Sequence, residues 1–173
     1  YLTWNDDAGP ADGVVVSWET SVPSVGVVTF GREAEPTAYA MGTEIDTLHH
    51  ATLTGLEPDT EYFYRVYDST GRSPDLPAFR TAPADSEMLK FIVMADMQDG
   101  GQSDQRWDAV AAEVAASHSD ADLLYLPGDL ACNDYPGHWW IFFDRGREIF
   151  ASIPMIPVVG NHDTPGYESN PDT

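Results

Sequence analysis

The chain has 173 residues, which is enough for one large domain or two small ones. It carries 29 acidic and 8 basic residues, and the formal net charge of −21 argues against binding to nucleic acid or anionic membranes, because phosphate groups repel such a surface. No stretch approaches the roughly 20 consecutive apolar residues that a membrane span needs.

The first 82 residues predict an all-β domain. Short segments in which apolar and polar residues alternate are separated by turn signals such as Gly55-Leu-Glu-Pro-Asp59. In the first of these segments, Val14, Val16 and Trp18 share one face at period two. Several short strands spaced in this way favour a β-sandwich. The predicted strands are residues 13–19, 25–30, 49–54, 62–67 and 78–81.

The segment Leu56-Glu-Pro-Asp-Thr-Glu-Tyr-Phe-Tyr-Arg-Val66 resembles the corner between strands E and F of a fibronectin type III domain. The resemblance covers residues 1–82. It implies that Tyr62 is a tyrosine corner, with its hydroxyl bonded to backbone upstream, and that Trp18 is a buried strand-B tryptophan.

Residues 88–173 have a different pattern and predict the first half of an α/β domain. Continuous apolar runs are typical of strands buried on both faces, and two amphipathic segments lie between them. The order strand, helix, strand, helix, strand predicts a parallel sheet. Ser103 is placed to cap the first helix, with Trp107, Val110 and Val114 on its buried face, and Trp140, Phe143 and Ile149 are predicted to pack from the second. The predicted strands are 90–95, 122–127 and 155–159, and the predicted helices are 103–118 and 137–150.

Each of the three predicted strands is followed by polar side chains. Asp96 and Gln98 follow the first, Asp129 the second, and Gly160-Asn-His-Asp163 the third. Because the carboxyl ends of parallel strands meet at one edge, these donors are expected to converge. Carboxylate and amide oxygens suit divalent or trivalent ions, and one carboxylate can bridge two of them.

This series resembles the calcineurin-like metallophosphoesterase superfamily, whose motifs run Asp-x-His or Asp-x-Gly, then Gly-Asp, then Gly-Asn-His-Asp/Glu. Together with the front domain, it is similar to purple acid phosphatases and their bacterial relatives. The resemblance implies two metal ions (Fe, Zn or Mn), with Asp96 on the first, Asp129 bridging both and Asn161 on the second. It implies that His162 contacts the substrate phosphate and helps to protonate the leaving group, while a hydroxide activated by two metals attacks phosphorus.

Two positions depart from the family pattern. Gln98 stands where many members have a histidine ligand, so it can bind a metal weakly, bond to a bound water or have no role. Cys132 stands three residues after Asp129, where purple acid phosphatases place a tyrosinate. Its thiolate can ligate iron or zinc, although a small buried cysteine is the commoner outcome.

The resemblance also implies two or three further histidine ligands after Gly-Asn-His-Asp, and the sequence ends at Thr173 without them. We expect a truncated or partly observed protein, or an inactive remnant. Its exposed half-sandwich would be covered by the missing half or by another chain.

Two functions follow from these observations. The first is a metal-dependent phosphoric ester hydrolase, a phosphomonoesterase or phosphodiesterase that is active only in the full-length protein. The alternative is a non-catalytic secreted binding or adhesion module with a degenerate phosphoesterase half.

The source and location are suggested only by composition. The acidic excess is expected of a secreted or periplasmic protein, or of one from a halophilic or marine organism. Cys132 is the single cysteine, so no disulfide forms within the chain, and no signal peptide is visible at Tyr1.

Overall fold

The computed structural model describes residues 1–5, 9–69, 71–85, 88–98, 106–132 and 135–164. The chain divides into two compact units, Tyr1–Leu89 with Ala151–Pro154, and Lys90–Phe150 with Met155–Thr173. The short segment Ala151–Pro154 therefore groups with the first unit, although it lies within the sequence range predicted for the second domain. None of the helices in these ranges is long and apolar enough to cross a membrane.

The first unit is all-β, as predicted. Its described strands pair in antiparallel fashion. The prediction of separate strands at 13–19 and 25–30 is wrong, because both lie in one long strand whose pairing is interrupted by bulges. The strands are β1 (Leu2–Trp4), β2 (Gly13–Gly31), β3 (Ala38–Thr54), β4 (Glu61–Asp68), β5 (Gly71–Arg72) and β6 (Ala78–Arg80).

The two halves of β2 have different neighbours. The first half pairs with β1 and with the end of β3, whereas the second half pairs with the start of β3 and with β4. β4 in turn pairs with β5 and β6. Side chains from both halves meet in one apolar core, as expected of a sandwich made by folding a long ribbon over itself. That core contains Leu2, Val14, Val16, Val28, Ala51, Leu53, Leu56, Tyr62, Tyr64 and Phe79.

The predicted tyrosine corner is confirmed. The hydroxyl oxygen of Tyr62 accepts a hydrogen bond of 2.9 Å from the backbone N–H of Glu57, five residues upstream. Trp18 differs from its prediction, since it is partly buried rather than enclosed. Its ring lies 5.0 Å from that of His49, which is buried on the same ribbon.

The second unit contains a parallel three-stranded sheet in the order β7 (Phe91–Val93), β8 (Leu123–Leu126) and β9 (Met155–Pro157). This confirms the predicted strand direction. The helices are α1 (Arg106–Ser117), α2 (Pro136–Arg145) and α3 (Arg147–Phe150). The predicted helix 137–150 is thus interrupted at Gly146, where a Cβ atom would overlap the Phe150 ring.

The prediction that these strands are buried on both faces is wrong. Leu124, Leu126 and Met155 are buried on one face, but Phe91 and Val93 are 53% and 54% exposed. Apolar composition cannot report which face of a sheet has been covered, because it is the same for both. The described part of the chain therefore presents an apolar sheet face that also includes Tyr125 and Ile156.

The helices bury different residues from some of those predicted. Trp107, Ala111 and Val114 face the core of α1, whereas Val110 is 44% exposed. The spacing i, i+4, i+7 gives the straighter stripe, so Ala111 takes the place assigned to valine. The predicted cap, Ser103, lies outside the described residues.

In α2, the buried residue is Phe142, while Trp140 is 64% exposed and Phe143 is half-buried. Phe142 and Phe150 stack around Trp107, whose indole N–H donates to the Phe142 carbonyl at 3.2 Å. Ile149 is buried as predicted.

Candidate metal centre

The three loops that carry the predicted ligands lie side by side. Backbone pairing continues beyond the strands: Asp96 N–H donates to the Gly128 carbonyl at 3.4 Å, and Val158 N–H donates to the Leu126 carbonyl at 2.8 Å. The loops after β7 and β9 are therefore both tied to the segment that follows β8. This is the arrangement predicted from the carboxyl ends of a parallel sheet.

Asp96 and Asp129 both have left-handed backbone conformations, with φ of 55° and 54°. Such angles cost a non-glycine residue roughly 1–2 kcal/mol, although aspartate tolerates them better than most. Strained residues of this kind cluster at functional sites. The strain occurs at two of the positions predicted to bind metal, and sequence reasoning had no means of seeing it.

Glycine is required where the loops after β8 and β9 touch. Gly128 has φ of 105°, and a Cβ atom there would lie 2.9 Å from the Cα atom of Gly160. A Cβ on Gly160 would overlap the backbone N and the carboxylate of Asp129 and would lie 3.0 Å from its Cα. The two glycines therefore allow the Asp129 and Asn161 loops to approach to van der Waals contact.

Asp163 is a residue whose role sequence reasoning missed. It is buried, with 8% exposure, and one carboxylate oxygen accepts 2.8 Å hydrogen bonds from the N–H groups of Leu130 and Ala131. The other oxygen accepts one of 2.8 Å from Gly160 N–H. The available signal was an acidic residue ending the Gly-Asn-His-Asp motif, which was assigned to the motif without a task.

Asp129 makes the reciprocal contact. Its Oδ1 accepts a 3.1 Å hydrogen bond from the backbone N–H of His162. Each loop thus offers a carboxylate to the backbone of the other. One oxygen of Asp129 is held in this way, which orients the carboxylate that is predicted to bridge two metals.

The His162 ring is oriented by Cys132. The Nδ1 atom lies 3.2 Å from the Cys132 backbone carbonyl, which can only accept, so Nδ1 carries the proton of this hydrogen bond. The half-buried Cys132 therefore meets the histidine through its main chain. Whether its thiol ligates a metal stays a prediction.

Gln98 has an unsatisfied oxygen. Its Oε1 atom is buried and has no hydrogen-bond partner among the described residues. A buried amide oxygen normally has a partner, which can be protein, water or an ion. This observation fits the alternative in which Gln98 turns its oxygen towards a metal or towards a water bound to one.

The predicted ligand set fits part of a metal site. Asp96, Asp129, Asn161 and Gln98 supply only oxygen atoms, which suit hard divalent or trivalent ions. Within the described ranges, no three His, Cys, Asp or Glu side chains form a group that could hold a metal. That agrees with a set in which only two of the four members are carboxylates, and it leaves the ligand roles as predictions.

The other histidines lie away from these loops in the fold. In the front unit, His49 Nε2 lies 2.9 Å from Thr20 Oγ1, and His50 Nδ1 lies 2.8 Å from Ser17 Oγ. His118 is exposed just beyond α1. His138 lies in α2 with its ring 5.6 Å from that of Tyr135. These places match the prediction that none of them supplies the absent motif histidines.

Comparison with known proteins divides the chain in the same way as the sequence pattern. Residues 1–81 match the family model described as the purple acid phosphatase N-terminal domain, and residues 89–172 match that of calcineurin-like phosphoesterases. Purple acid phosphatase 18 of Arabidopsis thaliana is 30% identical over 166 residues, which is 94% of this chain and 34% of the relative. An uncharacterised protein of Mycobacterium tuberculosis is 31% identical over 179 residues, covering 87% of this chain and 33% of that protein.

Solved structures show the same fold. A purple acid phosphatase from yellow lupin seeds superposes with a TM-score of 0.76 at 19% identity, over 96% of this chain and 36% of the lupin chain. A structure of PhoD has a TM-score of 0.68 at 16% identity, over 93% of this chain and 38% of that one. The chain spans about a quarter to a third of the length of the curated relatives it matches.

Proposed function

Because the chain belongs to the calcineurin-like metallophosphoesterases and has a front domain of the purple acid phosphatase type, we propose that its full-length protein is a metal-dependent phosphoric ester hydrolase. The observation that carries this proposal is the meeting of the loops after β8 and β9. There, Asp129 and Asp163 exchange hydrogen bonds with the facing backbone, next to Asn161 and His162.

The proposed metal ligands in this chain are Asp96, Asp129 and Asn161, with Gln98 as a further oxygen donor. Asp129 is suited to bridging, because the bond from His162 N–H fixes one oxygen and orients the other. When two ions are bound, they supply Lewis-acid neutralisation of the charge on the phosphoryl group. The left-handed conformations of Asp96 and Asp129 fit residues that are held in place for this task.

His162 is proposed to act on the substrate phosphate and the leaving group. Since Nδ1–H donates to the Cys132 carbonyl, the ring position that gains or loses a proton is Nε2. A histidine held in this way can donate from Nε2 to the departing oxygen. Positioned general acids of this kind typically contribute 10²–10⁴-fold to the rate.

The test is hydrolysis of aryl phosphate monoesters and diesters by the full-length protein, with Mn, Fe or Zn added. We expect His162→Asn to lower kcat by about 10²–10⁴-fold with its metal content retained. His118→Asn is the matched control, because His118 is exposed at the end of α1. Absence of both hydrolysis and bound metal in the unmodified protein would rule out the proposal.

Activity is proposed for the full-length protein only. The chain spans about a third of several relatives, and its proposed ligands are too few to hold two ions. We expect residues 1–173 alone to show no hydrolysis under conditions in which the full-length protein is active.

The exposed apolar sheet face supports a second part of the proposal. Phe91, Val93, Tyr125 and Ile156 lie on the uncovered face. We expect the segment that follows Thr173 in the full-length protein to cover it. Binding of a hydrophobic dye should then be strong for residues 1–173 and weak for the full-length protein; equal binding would contradict this, and dimers of the short chain would indicate cover by another chain.

A non-catalytic binding module remains the second candidate, favoured by Gln98 and Cys132 at positions where the family has other residues. A coding sequence that continues past Thr173 into a Gly-His-x-His segment would favour the enzyme, and a stop codon would favour the module. In either case, a location outside the cytoplasm is proposed from the acidic composition alone, and cell fractionation tests it.

A further inference from the structure

We infer that Asp163 is a positioning residue that locks the Asp129 loop against the Asn161 loop and thereby sets the affinity of the site for metal. The lock is the set of three hydrogen bonds from Leu130, Ala131 and Gly160 N–H to the two carboxylate oxygens. Its metal-binding part rests on the proposed function, whereas the lock itself does not.

The geometry leaves Asp163 little freedom for another role. Both of its oxygens accept backbone N–H groups at 2.8 Å, and the side chain is 8% exposed. Hydrogen bonds to a carboxylate are stronger than those between neutral groups. A buried carboxylate engaged in this way can hold two segments together but offers no open edge to a metal.

The lock acts on ligands on both sides. Leu130 and Ala131 directly follow Asp129, while Gly160 directly precedes Asn161. Fixing these three N–H groups therefore fixes the backbone that carries one predicted ligand from each loop. The return bond from His162 N–H to Asp129 closes the arrangement from the other side. Partners of metal ligands commonly change metal affinity by 10–100-fold when they are mutated.

Asp163→Asn tests the lock, because asparagine keeps the shape but presents an NH₂ group to at least one of the three N–H donors. Asp122→Asn is the matched control. Asp122 also accepts a backbone N–H, that of Lys90 at 2.8 Å, but at the amino end of β8. Both substitutions remove one carboxylate from the same unit, at opposite ends of its sheet.

Hydrogen-exchange mass spectrometry on the metal-free full-length protein measures the lock directly. We expect Asp163→Asn to speed exchange in peptides covering 128–132 and 158–163 by at least tenfold, and Asp122→Asn to leave them unchanged. In the unmodified protein, the amides of Leu130 and Ala131 should exchange as slowly as those of β8. Rapid exchange there would overturn the inference without any variant.

Titration with Mn²⁺, followed by electron paramagnetic resonance of the free ion, measures the consequence. We expect the Kd of Asp163→Asn to rise by about 10–100-fold, with part of the loss recovered in Asp163→Glu, and that of Asp122→Asn to stay unchanged. An unchanged Kd together with faster exchange would show that the lock does not set metal affinity. If the unmodified protein binds no Mn²⁺, the proposed function fails, and the exchange measurement alone decides on the lock.

Discussion

Replacing Gly160 with alanine should force apart the loops after β8 and β9. The added Cβ would overlap the backbone N and carboxylate of Asp129 and would lie 3.0 Å from its Cα. Because carbon atoms pack at about 3.5–4.0 Å, the loops must separate by roughly 0.5–1 Å. The obstacle is largely backbone, so no side-chain rotation relieves it.

The cost follows from this overlap. Overpacking typically costs about 1–3 kcal/mol, and a backbone neighbour places Gly160→Ala near the upper value. At about 1.4 kcal/mol for each factor of ten, a cost of about 3 kcal/mol expressed at the site lowers metal affinity by roughly a hundredfold. The same strain lowers the free energy of unfolding of the metal-free protein by a similar amount.

The assay combines denaturant unfolding of the metal-free full-length protein with Mn²⁺ titration. Gly42→Ala is the control, because a Cβ there would meet its nearest neighbours at 3.6 and 3.7 Å, an ordinary contact. Wild-type stability and wild-type Mn²⁺ affinity in Gly160→Ala would refute the argument that close approach of these loops builds the site.

Three further predictions concern the fold. Tyr62→Phe removes the acceptor for Glu57 N–H and should cost about 1 kcal/mol of unfolding free energy; Tyr39→Phe, at an exposed position, should cost nothing, and equal losses would contradict this. Burial raises the pKa of the Tyr64 phenol, so the unfolded state loses this proton first and stability should fall as pH rises above about 10. Tyr64→Phe should flatten that fall in a pH series of denaturant midpoints, and an unaltered slope would exclude Tyr64 as its cause. With a net charge of −21, the thermal midpoint should rise between 0.1 and 1 M NaCl as repulsion is screened; a midpoint insensitive to salt would show that self-repulsion is not limiting.

Sequence patterns were sufficient for the parts of the fold that depend on local chemistry. The Leu56–Val66 segment predicted the hydrogen bond of Tyr62 because a tyrosine corner is specified by a short motif and a nearby backbone group. The parallel sheet followed from three apolar runs with helical segments between them. The polar residues after each run then predicted which loops would adjoin.

The same patterns failed where the answer depends on what covers a surface. The apolar run 90–95 predicted burial of both faces, yet Val93 is exposed because covering elements are encoded elsewhere in the chain. Val110 was preferred to Ala111 for the face of α1 because it is more apolar, although the helical register favours the alanine.

The role of Asp163 depends on three backbone N–H groups, two of which lie more than thirty residues away in the chain. No local motif contains that information. Its position at the end of Gly-Asn-His-Asp marked it as part of a site, but only the folded chain shows which groups it joins.

The left-handed backbone at Asp96 and Asp129 offers a way to separate selection for folding from selection for chemistry. Glycine and asparagine adopt such angles at least as readily as aspartate. A saturation library sorted only for folded protein should therefore accumulate these residues at both positions, whereas a library sorted for phosphoester turnover should retain aspartate. The contrast between the two enrichment profiles would report, position by position, how much stability the chain gives up to keep a carboxylate there.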